Sequence, residues 1–580
     1  MDPEQMVTAY GQWLEAMTRE ALARRAERLS AVKTPEDAAR WASELREWYR
    51  RRVGPIVPLE GKPHREHVGV VERDGYRIEK WLFETMPGTL SPANLYVPGK
   101  VNAEGVAVLA PLGHWADGKA NPAYQNLGGY LARHGVPMLA YDHAGNGERR
   151  EYWNRVRNEP FPGKSPTSEH DRTGDLATLA GIQPSRFYLT EVARARDFLA
   201  TFDYVDRSRI GVTGSSGGGT LSRMAAAYMD DLAFAIPVCI VRGDDNVVGG
   251  DAEQCTWDAG VRGVVPVDLL TTMVPRPAML VTETSFDATA RSYASLRRVY
   301  DAAGARPEAT AYFAVDDEHG YTHPMIEAVY RFLCAQFALP APDPDTWNYI
   351  RLLPREQTWT SPSGLLQRDR VQVSLQAQIK HLAPTPKGKP NREDLLAVLR
   401  IADWQRSPVA YACGRPLDKH VVVTGASRAT TGELGLIDWV EPHPPDWHHG
   451  QSILYRSAEA NSARALLHFD RCLVGLRVRQ ILDFAEDHRG QFECLTAQRE
   501  WSVPLALACA VAGPELLPRA EVRYLPASFR DFLDADLNTT SLGLIVPGLL
   551  AWGDIDDAIT LAGDRLTVTY RVDADGRVVA

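Results

Sequence analysis

The chain has no cysteine pair to staple it. Its seven cysteines stand at 239, 255, 334, 413, 472, 494 and 509, with no C-x-x-C among them. Sparse, scattered and odd-numbered thiols exclude a disulfide framework and a cysteine-type zinc module, and read as reduced thiols in a cytosolic protein. No run of about 18 apolar residues occurs, which excludes a spanning helix by hydropathy. Met1-Asp2-Pro3-Glu4 has no basic stretch followed by an apolar core, so no secretory signal is expected and a cytoplasmic location is. Charge of one sign is nowhere concentrated: 64 basic and 74 acidic residues are interspersed, for a net charge of −10. Without a basic block or a basic–aromatic ladder, neither nucleic acid nor a membrane surface is expected as a partner.

Core material is plentiful. Apolar residues make up 44% and charged residues 24% of 580, the profile of a soluble globular protein too long for one ordinary domain. Residues 1–65 read as a helical segment. Met6, Tyr10, Leu14 and Met17 fall at helical spacing, and Thr34-Pro35-Glu36-Asp37 is a helix start. Such an amphipathic segment packs on a main body.

From 66 to 340 apolar strand runs alternate with helical stretches. The expected strands are 67–71, 94–97, 106–110, 136–141, 210–213, 234–238, 278–282 and 311–315. Helical stretches at 122–133, 190–201 and 221–228 lie between them. This alternation predicts an α/β fold with a mainly parallel sheet covered on both faces. Sites in such folds lie at the carboxyl ends of the strands. Pro340-Ala341-Pro342-Asp343-Pro344 is a stiff linker. Beyond it, 341–580 reads as a second α/β unit, with helices near 392–399, 473–486 and 504–511 and a strand at 420–424.

Ile210-Gly211-Val212-Thr213-Gly214-Ser215-Ser216-Gly217-Gly218-Gly219-Thr220 carries the chemistry. A strand runs into G-x-S-x-G and then into a helix, the pattern of a nucleophile elbow. Glycines two residues either side of Ser216 allow the tight turn and the close strand–helix packing. Ser215 is the local rival, without glycine at both positions. The backbone N–H of Gly217 is placed to donate to an oxyanion.

In such a fold the chain order is nucleophile, acid, histidine. His319, in Asp316-Asp317-Glu318-His319-Gly320 after the last strand, is the expected base, with His323 the alternative. The loop after strand 278–282 offers Glu283 and Asp287 as the acid that orients the imidazole, and Asp287 is favoured. The second oxyanion donor is expected from Gly113-His114-Trp115, through the backbone of His114 or Trp115. As a metal ligand His114 is a weak candidate, since no second ligand stands at ligand spacing near it in sequence. No metal or cofactor is expected. Val421-Val422-Val423-Thr424-Gly425-Ala426-Ser427 imitates a dinucleotide-binding start, but the following glycines are missing.

These residues support a resemblance. Gly113-His114-Trp115-Ala116-Asp117-Gly118-Lys119, Tyr141-Asp142-His143-Ala144-Gly145-Asn146-Gly147-Glu148-Arg149, Glu169-His170, 214–220 and Pro275-Arg276-Pro277 resemble the acetyl xylan esterase-like group of bacterial α/β-hydrolases. The resemblance implies the α/β-hydrolase fold and a serine esterase acting through Ser216, His319 and an acid. Asp142, His143, Arg149, Glu169 and His170 would then line or brace the pocket. It also implies a second, degenerate hydrolase-like half. There 473–483 looks like the helix before an elbow strand, but Leu495-Thr496-Ala497-Gln498-Arg499-Glu500-Trp501 holds no serine between glycines. The expected substrate is a small carboxylic ester or lactone. An acyltransferase or cyclase using the same triad, and an inactive binding scaffold, are the alternatives. The sequence leaves the oligomeric state open.

Overall fold

The computed structural model describes residues 3–154, 159–160, 165–240, 251–283, 288–413, 417, 419–438, 458–535 and 544–579. Helices α1 (Pro3–Ser30) and α2 (Pro35–Val53) open the chain. Thr34 caps α2: its side chain accepts from the Asp37 N–H at 3.2 Å, and the Asp37 carboxylate accepts from the Thr34 N–H at 3.1 Å. This reciprocal box satisfies donors that a helix start otherwise leaves orphaned. Trp41, Leu45, Trp48, Tyr49 and Val53 form the buried face of α2. From α1, buried Arg25 reaches Asp268 at 2.8 Å, pinning the helical pair to the main body.

The body is a nine-stranded sheet of β1 (Arg65–Arg73), β2 (Tyr76–Met86), β3 (Thr89–Pro98), β4 (Ala107–Pro111), β5 (Met138–Tyr141), β6 (Ile210–Ser215), β7 (Ala235–Val238), β8 (Ala278–Glu283) and β9 (Thr310–Val315). Their order is β1-β2-β3-β5-β4-β6-β7-β8-β9. The first three strands form an antiparallel meander, and β3 meets β5 antiparallel. From β5 to β9 every pairing is parallel. Each expected strand overlaps one of these. The strand not foreseen is β2, the longest, because Arg77, Glu79, Lys80 and Glu84 interrupt its apolar pattern. The Asp74-Gly75 turn before it, with Gly75 at φ 79°, is the hairpin signal that marks it.

Helices α3 (Pro122–Arg133), α4 (Pro166–Leu179), α5 (Ser185–Leu199) and α6 (Gly217–Tyr228) follow. Leu109, Leu139 and Val212 pack with α5 and α6 on one face. Val108, Met138 and Ile236 pack with α3 and the helix His323–Phe337 on the other. β4 to β8 are therefore buried throughout, as parallel strands covered on both faces must be. The chain leaves β4 toward β5 on one side and returns to β6 on the other. Such a reversal opens a crevice beyond the carboxyl ends of β4 and β6.

After the proline-rich linker the chain runs back along the first sheet. Gln125 exchanges hydrogen bonds with the backbone of Leu353, and the Val373 N–H donates to the Gly88 carbonyl at 2.9 Å. Only then does a six-stranded sheet begin, ordered Ala412–Cys413, Leu434–Leu436, His420–Gly425, Cys494–Gln498, Ala520–Arg523, Leu566–Val568. All its pairings but the first are parallel. The halves are tied by buried Arg464, 3.3 Å from Asp171, and by the Gly548 N–H on the Thr178 carbonyl at 2.9 Å.

Candidate active site

Ser216 sits between the end of β6 and the start of α6 with φ 57° and ψ −122°. A non-glycine residue held there stores backbone strain, and such strain gathers at functional sites. The turn survives because its neighbours lack side chains. A Cβ on Gly218 would lie 2.2 Å from the Pro111 carbonyl oxygen, and one on Gly214 2.5 Å from the Gly218 backbone. The Ser216 N–H is held by the Val238 carbonyl at 2.9 Å, which fixes the bend against β7. Ser215, the rival, is the last residue of β6 and is fully buried.

His319 lies on the loop after β9, and its Nδ1 is 2.6 Å from Oε1 of Glu283, the last residue of β8. A carboxylate only accepts, so Nδ1 carries the hydrogen and Nε2 presents a lone pair. Burial pushes the Glu283 carboxyl up, but hydrogen bonds from His319 and Cys239 outweigh it and hold it below the ordinary range. Burial, with Glu283 beside it, in turn pushes the Cys239 thiol up to about 12. Asp287 lies outside the described residues; the carboxylate seen on the imidazole is Glu283.

The histidine loop is tied to the elbow strand. Thr213 of β6 hydrogen-bonds the Tyr321 hydroxyl at 2.7 Å, and Tyr321 packs edge-on against Tyr124 at 5.5 Å. The Tyr124 hydroxyl accepts from the N–H groups of Ser215 (3.2 Å) and Gly113 (3.0 Å). Trp115 spans the same gap. A Cβ on Gly113 would meet its ring and the Ser215 carbonyl, while the other side of the indole faces the His319 ring at 6.4 Å. His323, by contrast, opens a helix and stacks on Trp347 at 3.7 Å.

Of the two expected donors after β4, the Trp115 N–H is already bound to the Gly113 carbonyl at 2.9 Å. Asp142 braces the surrounding loops from within. Its carboxylate accepts from the N–H groups of Lys119 (2.7 Å) and Glu148 (3.0 Å). Buried Lys119 bridges Asp142, at 3.4 Å, and Glu148. Burial pushes the Asp142 carboxyl up to about 6 despite Lys119. Glu148 also accepts from the backbone and hydroxyls of Thr360 and Ser361. Arg149 pairs with Glu191 and Glu151, and Arg150 with Glu169 at 2.6 Å. Arg149 and Glu169 are thus engaged in buried ion pairs that shape the loops.

A second cluster stands beside the elbow, built from residues that no local spacing links. His114 Nε2 is 2.9 Å from Glu253 Oε1, and His170 Nδ1 is 3.3 Å from the same oxygen. His114 Nδ1 faces Asp251 at 3.2 Å, and His170 Nε2 faces the Ala144 carbonyl at 2.8 Å. A Cβ on Gly217 would lie 2.7 Å from His114 Nε2, so this cluster adjoins the residue after Ser216. His143 lies next to it, with Nε2 on the Leu112 carbonyl at 3.0 Å. Burial and the neighbouring His170 bring its pKa down to about 3, so it is a neutral brace.

In the second half, the strand Cys494–Gln498 follows helix Leu473–Asp487 and leads through a short turn into helix Ser502–Val511. The residue straight after that strand, Arg499, has φ 53°. The backbone there repeats the strand–bend–helix of the first elbow, with arginine in the serine's place.

No protein-family model matches the chain, and comparison with curated proteins finds no match. Among solved structures, methylesterase BT1017 matches with a TM-score of 0.51 at 19% identity, over 63% of this chain and 78% of that one. A glucuronoyl esterase from Solibacter usitatus matches at 0.36 and 15%, over 51% of this chain and 92% of that one. An acetyl xylan esterase from Paenibacillus sp. R4 matches at 0.33 and 18%, over 52% and 94%. The last two scores carry no inference; the first is a likeness of fold alone.

Proposed function

With the α/β-hydrolase fold as the starting point, we propose that the chain is a serine hydrolase of small carboxylic esters, with Ser216 as nucleophile, His319 as base and Glu283 as acid. The observation that supports it most is a strained elbow serine at the end of one strand of the sheet and, at the end of another, a carboxylate that fixes the tautomer of His319. Glu283 takes the acid's role in place of Asp287 on that hydrogen bond.

In the first step the Ser216 hydroxyl attacks the ester carbonyl carbon while His319 Nε2 takes its proton. The oxyanion is held by the N–H of Gly217, the first residue of α6, and by that of His114. Collapse breaks the bond to the alkoxide, which receives the proton from His319. Water then repeats the sequence on the acyl-enzyme, releasing the acid and restoring Ser216. Glu283 stays ionised and stabilises the imidazolium formed in each half-reaction.

The second half is proposed to be catalytically silent, because Arg499 has no nucleophilic hydroxyl. Acetyl esters are the first substrates to test, and methyl esters the second, since the protein matched in fold is a methylesterase. The experiment is a panel of acetyl, longer acyl, methyl and lactone substrates against wild type and Ser216→Ala. Turnover by wild type that Ser216→Ala lacks supports the reading. Equal turnover by both, or transfer only to an added acceptor alcohol, overturns it.

A further inference from the structure

The cluster at His114, His170 and Glu253 is better supplied with lone pairs than with hydrogens. The Ala144 carbonyl can only accept, so His170 Nε2 carries a hydrogen, and the Nδ1 of the neutral ring carries a lone pair. Nδ1 makes no hydrogen bond, although it is buried and 3.3 Å from Glu253 Oε1. His114 faces a carboxylate with each nitrogen: Nδ1 is 3.2 Å from Asp251, and Nε2 hydrogen-bonds Glu253 at 2.9 Å, a contact that a metal ion replaces when it takes the place of the Nε2 hydrogen. Glu253 is itself buried, and its Oε2 makes no hydrogen bond. The unmatched His170 nitrogen and Glu253 oxygen thus lie beside a second imidazole in a largely buried site, where each unmatched group is costly.

We propose that His114 Nε2, His170 Nδ1 and Glu253 Oε1 bind one divalent transition-metal ion, zinc above all. The three atoms lie within 4.8 Å of one another. The two separations from Glu253, 2.9 and 3.3 Å, are those of neighbouring ligands about 2.0–2.1 Å from a shared zinc. The outer contacts are of the kind that metal-bound imidazoles have, a carboxylate on one ring and a backbone carbonyl on the other. The loop bearing Glu253 is fastened independently. The Ala252 N–H donates to Asp171 at 3.0 Å, and Thr220 of α6 bonds Gln254 at 3.0 Å.

Two histidines and one carboxylate leave a fourth position open, the arrangement of zinc sites that meet a substrate rather than only hold a fold. His114 is the partly exposed member, with its side chain 13% accessible, and it borders Gly217. The open position is therefore beside the oxyanion pocket, for a substrate oxygen. The ligand set is complete without Ser216, so the site does not depend on the hydrolase reading.

The test is zinc uptake by the full chain, stripped with a chelator and then dialysed against zinc alone. About one equivalent is expected in wild type and in Ser216→Ala. Less than a tenth of that is expected in Glu253→Gln and His170→Ala; the comparison subtracts uptake by other histidines. Asp251→Asn, which alters the outer contact and the bond that the same carboxylate accepts from Gln254, should weaken binding about 10- to 100-fold. Circular dichroism identifies any variant that fails to fold. Wild type that binds no more zinc than Glu253→Gln overturns the proposal. Zinc bound by a protein inactive on every ester sinks the hydrolase reading alone.

Discussion

Glu283 ends its strand with a carboxylate oxygen 2.6 Å from Nδ1 of His319, across the pair of parallel strands β8 and β9. In the proposed triad the acid is thus mounted on the sheet rather than on the loop that follows it. Glu283→Gln keeps the shape but favours the wrong tautomer of the imidazole. Such a change should lower kcat by about 10⁴-fold with little effect on KM. Asp287→Asn should stay close to wild type. The reverse pattern in steady-state kinetics would return the acid's role to Asp287.

A fluorophosphonate probe should label the chain once, at Ser216. Ser216→Ala should abolish labelling and reduce ester turnover by about 10⁴- to 10⁶-fold. Intact-mass measurement gives the stoichiometry. A second adduct, or one persisting in Ser216→Ala, would mean that the second half or Ser215 is reactive.

Lys119 is buried between Asp142 and Glu148. Lys119→Met leaves both carboxylates in the interior without their cation. Removal of one partner from a buried ion pair costs about 3–5 kcal/mol. Urea unfolding should therefore show a marked loss for Lys119→Met, recovered in part by adding Asp142→Asn. No loss would mean that water reaches the pair.

Asp175 is buried 3.7 Å from Arg464, and burial, against the pull of Arg464, raises its pKa to about 7. In the unfolded chain it ionises near 4. Between those values the folded state binds the extra proton, so stability falls as pH rises from about 4 to about 7. Asp175→Asn lacks that fall. Its unfolding temperature should match wild type at pH 4 and exceed it at pH 8, by on the order of 1 kcal/mol in stability or more. A gain that is the same at both pH values would refute the assignment.

The parts of the site legible in the sequence are those with local demands. An elbow needs a strand, glycines two either side of the nucleophile, and a helix, all within about a dozen residues, and 210–220 has them. Chain order alone points to His319, and the structure places the Glu283 carboxylate on its ring. Glu283 was harder to place because the expected strand stopped at 282. One more residue of pairing, Glu283 with Val315, moves that side chain from loop to strand end. The cluster at His114 was invisible because its partners are 56 and 139 positions away, brought in by α4 and by a loop packed on it. Local spacing holds no trace of such contacts. In β2 the charges concealed a strand that a two-residue turn announces.

Thr360 and Ser361, which lie beyond the proline-rich linker, supply donors to Glu148 deep within the first half. A protein truncated at residue 340 would carry every residue of the proposed triad, yet lose the far side of the clamp around Glu148. The linker is thus a poor place to divide the gene for expression. Separately produced halves should recover order only on recombination, as the fragments of a split protein do.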